Sequence, residues 1–347
     1  MTLGLPGSLS ITAEQDERAR ILHAEAVVFD CGSVVKEEPE HFDRALAGGV
    51  TGTNHTVTHP HSDYAGATRD MGRCARWIFD NQDRGVHALT VADIEMAKET
   101  GREAIVFGPQ NSEFIGTDLG NLDVAYALGM RIMQLTYQRQ NWVATGSGET
   151  QDSGLTSFGR EVIRGMDDLG IVVDLSHCSP MTCAQAIAAS ANPVIFSHAH
   201  PVAVSRPNPK AKSDDLLRIL ADGGGVMGIT ALSTFNEDPD RPGVRPGLED
   251  FKKHITYVAE LIGVDHVGIG LDFDETNTPE NYYGDDVRFP ELVSGFSWEE
   301  KRICDLTDAS QELNVTRTLV SAGFTDEEVK KILGGNFLRV FGQVWGV

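Results

Sequence analysis

The sequence predicts a single (β/α)8 barrel of the TIM type, and three observations carry that expectation. Eight short apolar runs alternate with helix-length segments, two consecutive runs lead into a histidine, and no GxGxxG turn follows the first run. Alternation of strand and helix gives a parallel sheet, and eight repeats let that sheet close. The missing glycine fingerprint removes the main argument for an open doubly wound sheet.

Residues 1–24 read as a polar leader followed by a helix from Ala13 to Leu22. The first strand, Ala26 to Asp30, stops at Cys31-Gly32-Ser33, and the second, Val50 to Asn54, runs into the histidine-rich 55-HTVTHPHS-62. Helices follow at Arg73 to Asp83 and Thr90 to Thr100, the latter with a capping threonine in front and Gly101 behind. Strands at Ala104 to Phe107 and Arg131 to Leu135 flank a helix at Leu119 to Leu128. Next comes 146-GSGETQDSGLTSFGREVIRGM-166, a loop and then a helix that starts near Phe158, with Thr156 or Ser157 as its cap.

The fifth and sixth strands, Val172 to Leu175 and Val194 to Ser197, are joined by one helix-length segment. Gly225 to Ile229 follows a helix at Ser213 to Ala221, and Val267 to Gly270 follows one at Leu248 to Ile262. The Asn-, Asp-, Tyr- and Pro-rich stretch from Glu275 to Ser297 reads as a loop, and helices from Ser297 and Thr325 close the chain. No linker is visible, so residues 1–347 are expected to form one domain, with 275–347 as its C-terminal loop and helices.

Composition narrows the function. Lys+Arg 29 against Asp+Glu 51 gives a net charge of −22, which repels nucleic acid backbones and anionic membrane surfaces. A small-molecule partner is therefore expected, and self-association into a homo-oligomer is left open. The five cysteines show no CxxC pair, which argues against a disulfide framework or a thiolate zinc knuckle. The first residues lack a basic start with an apolar core, and no run of about 18 apolar residues occurs, so a cytoplasmic protein is expected.

In a barrel the chemistry sits at the carboxyl ends of the strands. Projecting those ends gives Asp30, Asn54, Gln110, Tyr137, His177, His198, Thr230 and Asp272. His177 and His198 occupy matched positions, and two imidazoles on one rim suit a zinc ion, whereas either alone reads equally well as a polar strand cap. Asp272 in 266-HVGIGLDFDE-275 is placed to ligate a metal or to take a proton from an attacking water. Its alternative is a helix cap or a surface acid.

His200 reads as a rim group, and His55, His59 and His61 as loop residues held in reserve as ligands. Gln110 is a weak zinc ligand that suits hydrogen bonding in the mouth. Glu149 and Asp152 are acids within reach of the mouth. In 206-RPNPKAKSDD-215, Arg206, Lys210 and Lys212 put positive charge beside the sixth strand, suited to a substrate carboxylate or to simple solvation.

The text VVDLSHCSPMT, PVIFSHAHPVAV, SDDLLRIL, HVGIGLDFD and GGNFLRVF, in that order, resembles the membrane (renal) dipeptidase family, peptidase family M19 of the amidohydrolase superfamily. The resemblance implies a (β/α)8 barrel with two zinc ions that hydrolyses dipeptides, often with a D-residue at the C-terminal position. It implies that His177 and His198 bind the second zinc and that Asp272 accepts the proton of the attacking water. Lys210 lies near the place of an arginine that binds the substrate carboxylate.

Other positions depart from the family. Its first-strand His-x-Asp is replaced by 30-DCGSV-34, its bridging glutamate by Gln110 in 108-GPQN-111, and its carbonyl-polarising histidine by Tyr137 in 135-LTYQ-138. A glutamine brings no charge between two dications, so at most one zinc is expected, in a mouth rebuilt from Gln110, Asn111, Tyr137, Asn141, Glu149 and Asp152. The expected function is metal-dependent hydrolysis of a dipeptide or small amide through a zinc-activated water. The alternatives are a metal-poor relative with a non-hydrolytic tailoring activity and a non-catalytic small-molecule binder.

Overall fold

The computed structural model describes residues 2–4, 9–282 and 295–346. The eight expected runs are strands β1 (Phe29–Val34), β2 (Gly52–His55), β3 (Glu103–Phe107), β4 (Ile132–Gln134), β5 (Val172–Asp174), β6 (Ile195–Ala199), β7 (Val226–Ile229) and β8 (Val267–Ile269). They pair in parallel in the order β3-β2-β1-β8-β7-β6-β5-β4. The ends of that row meet at a bridge between Phe107 and Met130, where the Arg131 N–H donates to the Phe107 carbonyl and the Gln134 N–H to the Pro109 carbonyl, each at 3.0 Å. The sheet is a barrel, as the alternation predicts.

Several of the helices that follow strands open on a capping side chain at the end of the βα loop. Thr156 Oγ1 accepts the Gly159 N–H, Ser179 Oγ that of Thr182 and Ser213 Oγ that of Leu216, opening helices Ser157–Leu169, Pro180–Ala189 and Asp214–Asp222. Thr90 and Asp93 form a reciprocal capping box for Val91–Thr100, which ends at Gly101 in the left-handed region. Each such cap contributes about 1 kcal/mol.

The C-terminal helix Asn336–Trp345 closes the bottom of the barrel. Its Phe337, Phe341 and Trp345 pack with Phe29, Ala104, Ile132, Val172, Ile195 and Val226, which stand at or next to the strand starts. The opposite rim is therefore the one left for a site.

Several expectations change. The leader is partly ordered, because Ser10–Thr12 pairs antiparallel with Thr2–Gly4. The helix expected at Arg73 begins at Tyr64, capped by Asp63, and an unexpected strand, Gly85–His87, adds to the outside of β3. His55 is not a loop residue but the last residue of β2, and it is buried. The helix expected from Ser297 is one 3-10 turn, Trp298–Glu300, and the longer helix is Leu313–Ser321. Part of the loop expected at Glu275 to Ser297 lies outside the described residues.

One buried charge network ties the mouth to the helix after β1, Pro39–Ala47. His41 Nε2 meets Glu103 at 3.0 Å, His41 Nδ1 meets Glu275 at 3.0 Å, and Arg44 pairs with Glu275 at 2.6 Å. Burial alone lowers the His41 pKa, but Glu103 and Glu275 outweigh it and raise it to about 10. A raised histidine stabilises the fold fully below its ordinary pKa of about 6.5, and that contribution fades as the pH climbs through about 10. We expect the melting temperature to fall between pH 7 and pH 10. The fall should be largely absent in His41→Gln, which is itself destabilised; identical pH profiles for the two proteins would contradict this.

Candidate metal centre

The two histidines of the fifth and sixth strands meet. His177, three residues beyond β5, and His198, within β6, are both buried, and their Nε2 atoms stand 2.9 Å apart. Two nitrogens at ordinary zinc distances in tetrahedral geometry lie about 3.3 Å apart, so a few tenths of an ångström of opening admits an ion. His198 sits on a seat that excludes side chains. A Cβ at Gly32 would lie 2.9 Å from His198 Cβ, and one at Gly228 or Gly270 would lie 2.1 or 1.8 Å from the Ser197 carbonyl oxygen.

Behind His198, Ser197 Oγ lies 2.8 Å from His198 Nδ1 and donates to Asp174 Oδ2 at 2.6 Å. Burial lowers the pKa of both histidines, His198 to about 4 and His177 well below the usual value, with Lys210 adding to each effect. Both rings are therefore neutral near pH 7, the state that ligates a metal.

Asp272 follows β8 with φ at 61°, a left-handed conformation that a non-glycine residue adopts only when its surroundings impose it. The Asp272 N–H donates to the Gly32 carbonyl at 2.8 Å, and the carboxylate lies 3.6 Å from the buried Lys210 ammonium. Burial raises the Asp272 pKa, but His198, Lys210 and Arg302 overcome that and hold it below the usual carboxylate value. An ionised carboxylate able to receive a proton is the outcome. Lys210 also lies 5.0 Å from the centre of the Phe235 ring.

Two cavities meet over these groups. The first, about 140 Å³, has Tyr137, His177, Lys210, Asp272, Lys301 and Arg302 in its wall. The second, larger cavity is reached past Tyr137, Asp274 and Asn277, which line both, and it includes His55, Gln110 and the half-exposed His59 and His61. The Tyr137 ring stacks on His177 with centroids 4.5 Å apart.

The remaining expected site residues are placed differently. Asn141 spends its amide on Asn111 Oδ1, Ser112 Oγ and the Leu135 carbonyl, and Asn111 donates to the Pro60 carbonyl. Together they pin the loops beneath the mouth and line neither cavity. Glu149 accepts the Gln140 N–H, Asp152 accepts from Ser179 and Met181 at a helix start, and the exposed Arg206 faces Glu237 at 3.8 Å. None of these three lines either cavity.

His200 stacks on Phe235 and meets Asn208, while Lys212 donates to the Leu175 and Cys178 carbonyls. Lys301 and Arg302 were not foreseen. They sit in a stretch whose sequence shows only short helical signals, and nothing in the residues themselves points towards the barrel mouth.

Among the described residues the β1 side of the mouth offers no second set of ligands. Asp30 turns to the Gly32 and Leu271 N–H groups, Ser33 donates to the Phe273 carbonyl, and Cys31 is buried in the core. Among the described residues, the one close group of three ligand atoms is Glu37, His55 and Cys74. Its chemistry is wrong for a metal. His55 Nδ1 accepts the Val35 N–H, so Nε2 carries the ring proton, and Glu37 is paired with Arg73. The His177 and His198 pair thus fits one ion held by two protein ligands, with its other positions open.

The sequence profile of membrane dipeptidase, peptidase family M19, matches residues 42–307. The chain belongs to the membrane dipeptidase family. It is 30% identical over 264 residues to Dipeptidase verJ of Clonostachys rogersoniana, a match that takes in 76% of this chain and 61% of that relative's length. An amidohydrolase from Pseudomonas aeruginosa superposes with a TM-score of 0.87 and 31% identity, covering 95% of this chain and 99% of that one. A metallo peptidase from Rhodobacter sphaeroides, solved with a phosphinate mimic of L-Ala-D-Ala, shares the fold at a TM-score of 0.78 and 18% identity, with coverage of 92% and 100%. Among the described residues no helix is long and apolar enough to cross a membrane.

The seat of His198 gives a direct test. Gly32→Ala puts a methyl group against the ring's own Cβ, so zinc affinity measured by titration calorimetry should fall by about tenfold or more, with the circular dichroism spectrum retained. Unchanged affinity would show that the glycine does not set the ring's position.

Proposed function

We propose that this chain is a metal-dependent hydrolase of dipeptides or similar small amides, working with one zinc ion held by His177 and His198. The observation that carries the reading is the 2.9 Å approach of two neutral Nε2 atoms, one of them on His177 in the wall of a cavity that also holds the Asp272 carboxylate beside a lysine. Zinc bound there would supply a Lewis acid that polarises the attacking water and the scissile carbonyl.

The chain's own residues perform the rest. Asp272 takes the proton from the water as it adds to the carbonyl carbon and returns it to the leaving amine nitrogen as the C–N bond breaks. Lys210 keeps Asp272 charged and aimed into the cavity. Tyr137, stacked on His177 where the two cavities join, steers the carbonyl, with Gln110 in the adjoining wall. Lys301 and Arg302 give the same cavity the positive charge that a substrate carboxylate requires.

A second reading, a metal-poor relative with a non-hydrolytic tailoring step or a binding role, draws on the β1 side of the mouth. There Gly32 and Gln110 leave no place for the second ion of the family pattern. Metal analysis and turnover separate the two readings. The hydrolase reading expects about one zinc per chain and measurable cleavage within a panel of L,L and L,D dipeptides. His177→Ala should abolish that cleavage, and Asp272→Asn should cut kcat by about 10²- to 10⁴-fold. A metal-free chain with no turnover across the panel would leave only the second reading.

A further inference from the structure

We propose that Asp174 and Ser197 act as a positioning pair that locks His198 as the Nδ1–H tautomer, so that its Nε2 lone pair always faces the ion site. This rests on the reading of His198 as a ligand, and it extends that reading to two residues that touch neither ion nor substrate.

Asp174 Oδ1 accepts three donors, the Ser176 N–H at 3.0 Å, the Ser176 hydroxyl at 2.7 Å and the Ser197 N–H at 3.0 Å. Its Oδ2 accepts the Ser197 hydroxyl at 2.6 Å. A serine has a single hydroxyl proton. Once Ser197 has given it to Asp174, the 2.8 Å contact between Ser197 Oγ and His198 Nδ1 can be a hydrogen bond only if the ring nitrogen donates.

The opposite arrangement would set two buried oxygens 2.6 Å apart with no proton between them. Ser176 Oγ, 3.0 Å from Ser197 Oγ, does not alter the result. With both hydroxyls donating to Asp174, neither donates in that contact, and Ser197 still has no proton left for the ring.

The two imidazoles are consequently unequal. His198 presents a lone pair at Nε2, so in the ion-free protein the 2.9 Å contact is a hydrogen bond from His177 Nε2–H to His198 Nε2. Among the described residues His177 Nδ1 is buried with no partner, which leaves that ring free to shift its proton to Nδ1 when its own Nε2 is needed. One ligand is preset and the other adjusts.

The test is nitrogen-15 NMR of the histidine rings in ion-free protein, together with the zinc dissociation constant. The proposal expects His198 as Nδ1–H and His177 as Nε2–H. Ser197→Ala should lose the His198 preference and weaken zinc binding by about 10- to 100-fold, and Ser197→Thr, which keeps the hydroxyl, should restore both. Asp174→Asn is the sharper variant. With three donors holding its remaining oxygen, the new amide faces Ser197 and donates to it, the hydroxyl turns to the ring, and His198 should appear as Nε2–H.

Finding His198 as Nε2–H in the unaltered protein, or as Nδ1–H in a folded Asp174→Asn variant, would overturn the proposal. The ring tautomer decides this point without any metal. A failure of every form to bind zinc would instead strike the ligand reading of the site and leave the tautomer result standing.

Discussion

The approach of His177 Nε2 to His198 Nε2 is the constraint on which the other features of this molecule bear. Neighbouring strands of a sheet run about 4.8 Å apart, so side chains leaving the ends of β5 and β6 are brought within reach of each other by the barrel itself. Converting that proximity into a facing pair takes more. Gly32, Gly228 and Gly270 clear the space around the step from Ser197 to His198, and the hydrogen bonds onto Asp174 fix the backbone and ring of that step. The C-terminal helix seals the strand starts, which leaves the opposite rim as the place where polar groups converge.

The chemistry of the mouth is lopsided. The arc from β5 to β8 carries the facing imidazoles of His177 and His198, Asp272 and the lysine beside it, while the arc from β1 to β3 contributes Asp30 folded onto backbone N–H groups, the amide of Gln110 and His55, whose Nδ1 is taken by the Val35 N–H. This is the physical meaning of the departures from the family pattern. The ring of His198 occupies the volume over Gly32 that a first-strand side chain would need. Charge follows the same division, because a chain with a net charge of −22 nevertheless lines one cavity with Lys210, Lys301 and Arg302.

The fold was legible because a parallel barrel writes its period plainly. All eight strands stand at or within a few residues of their apolar runs, and Thr90, Thr156 and Ser213 cap the helices that the sequence marks for them. Lone residues fared less evenly. His55 belongs by its neighbours in the sequence to the proline loop that follows it, yet it pairs opposite Phe107 as the end of β2.

Asn111 and Asn141 look like mouth residues by spacing, and their amides are consumed in holding loops. Glu149 and Arg206 are sequence neighbours of the mouth that turn to other partners. The Asp174 and Ser197 pair was invisible because it depends on the register of β5 against β6, Asp174 beside Ile195, and register across a parallel sheet leaves no mark in the linear text. Lys301 and Arg302 line the cavity from a stretch that carries no local pattern to mark it.

The account stands on a single divalent ion shared by the two imidazoles, and anomalous diffraction from crystals soaked in zinc at its absorption edge tests this most directly. The predicted result is one anomalous peak bonded to His177 Nε2 and His198 Nε2 at about 2.0 to 2.1 Å, with no second peak beside Gly32 and Gln110. A peak among Glu37, His55 and Cys74, or a pair of peaks spanning the mouth, would contradict it.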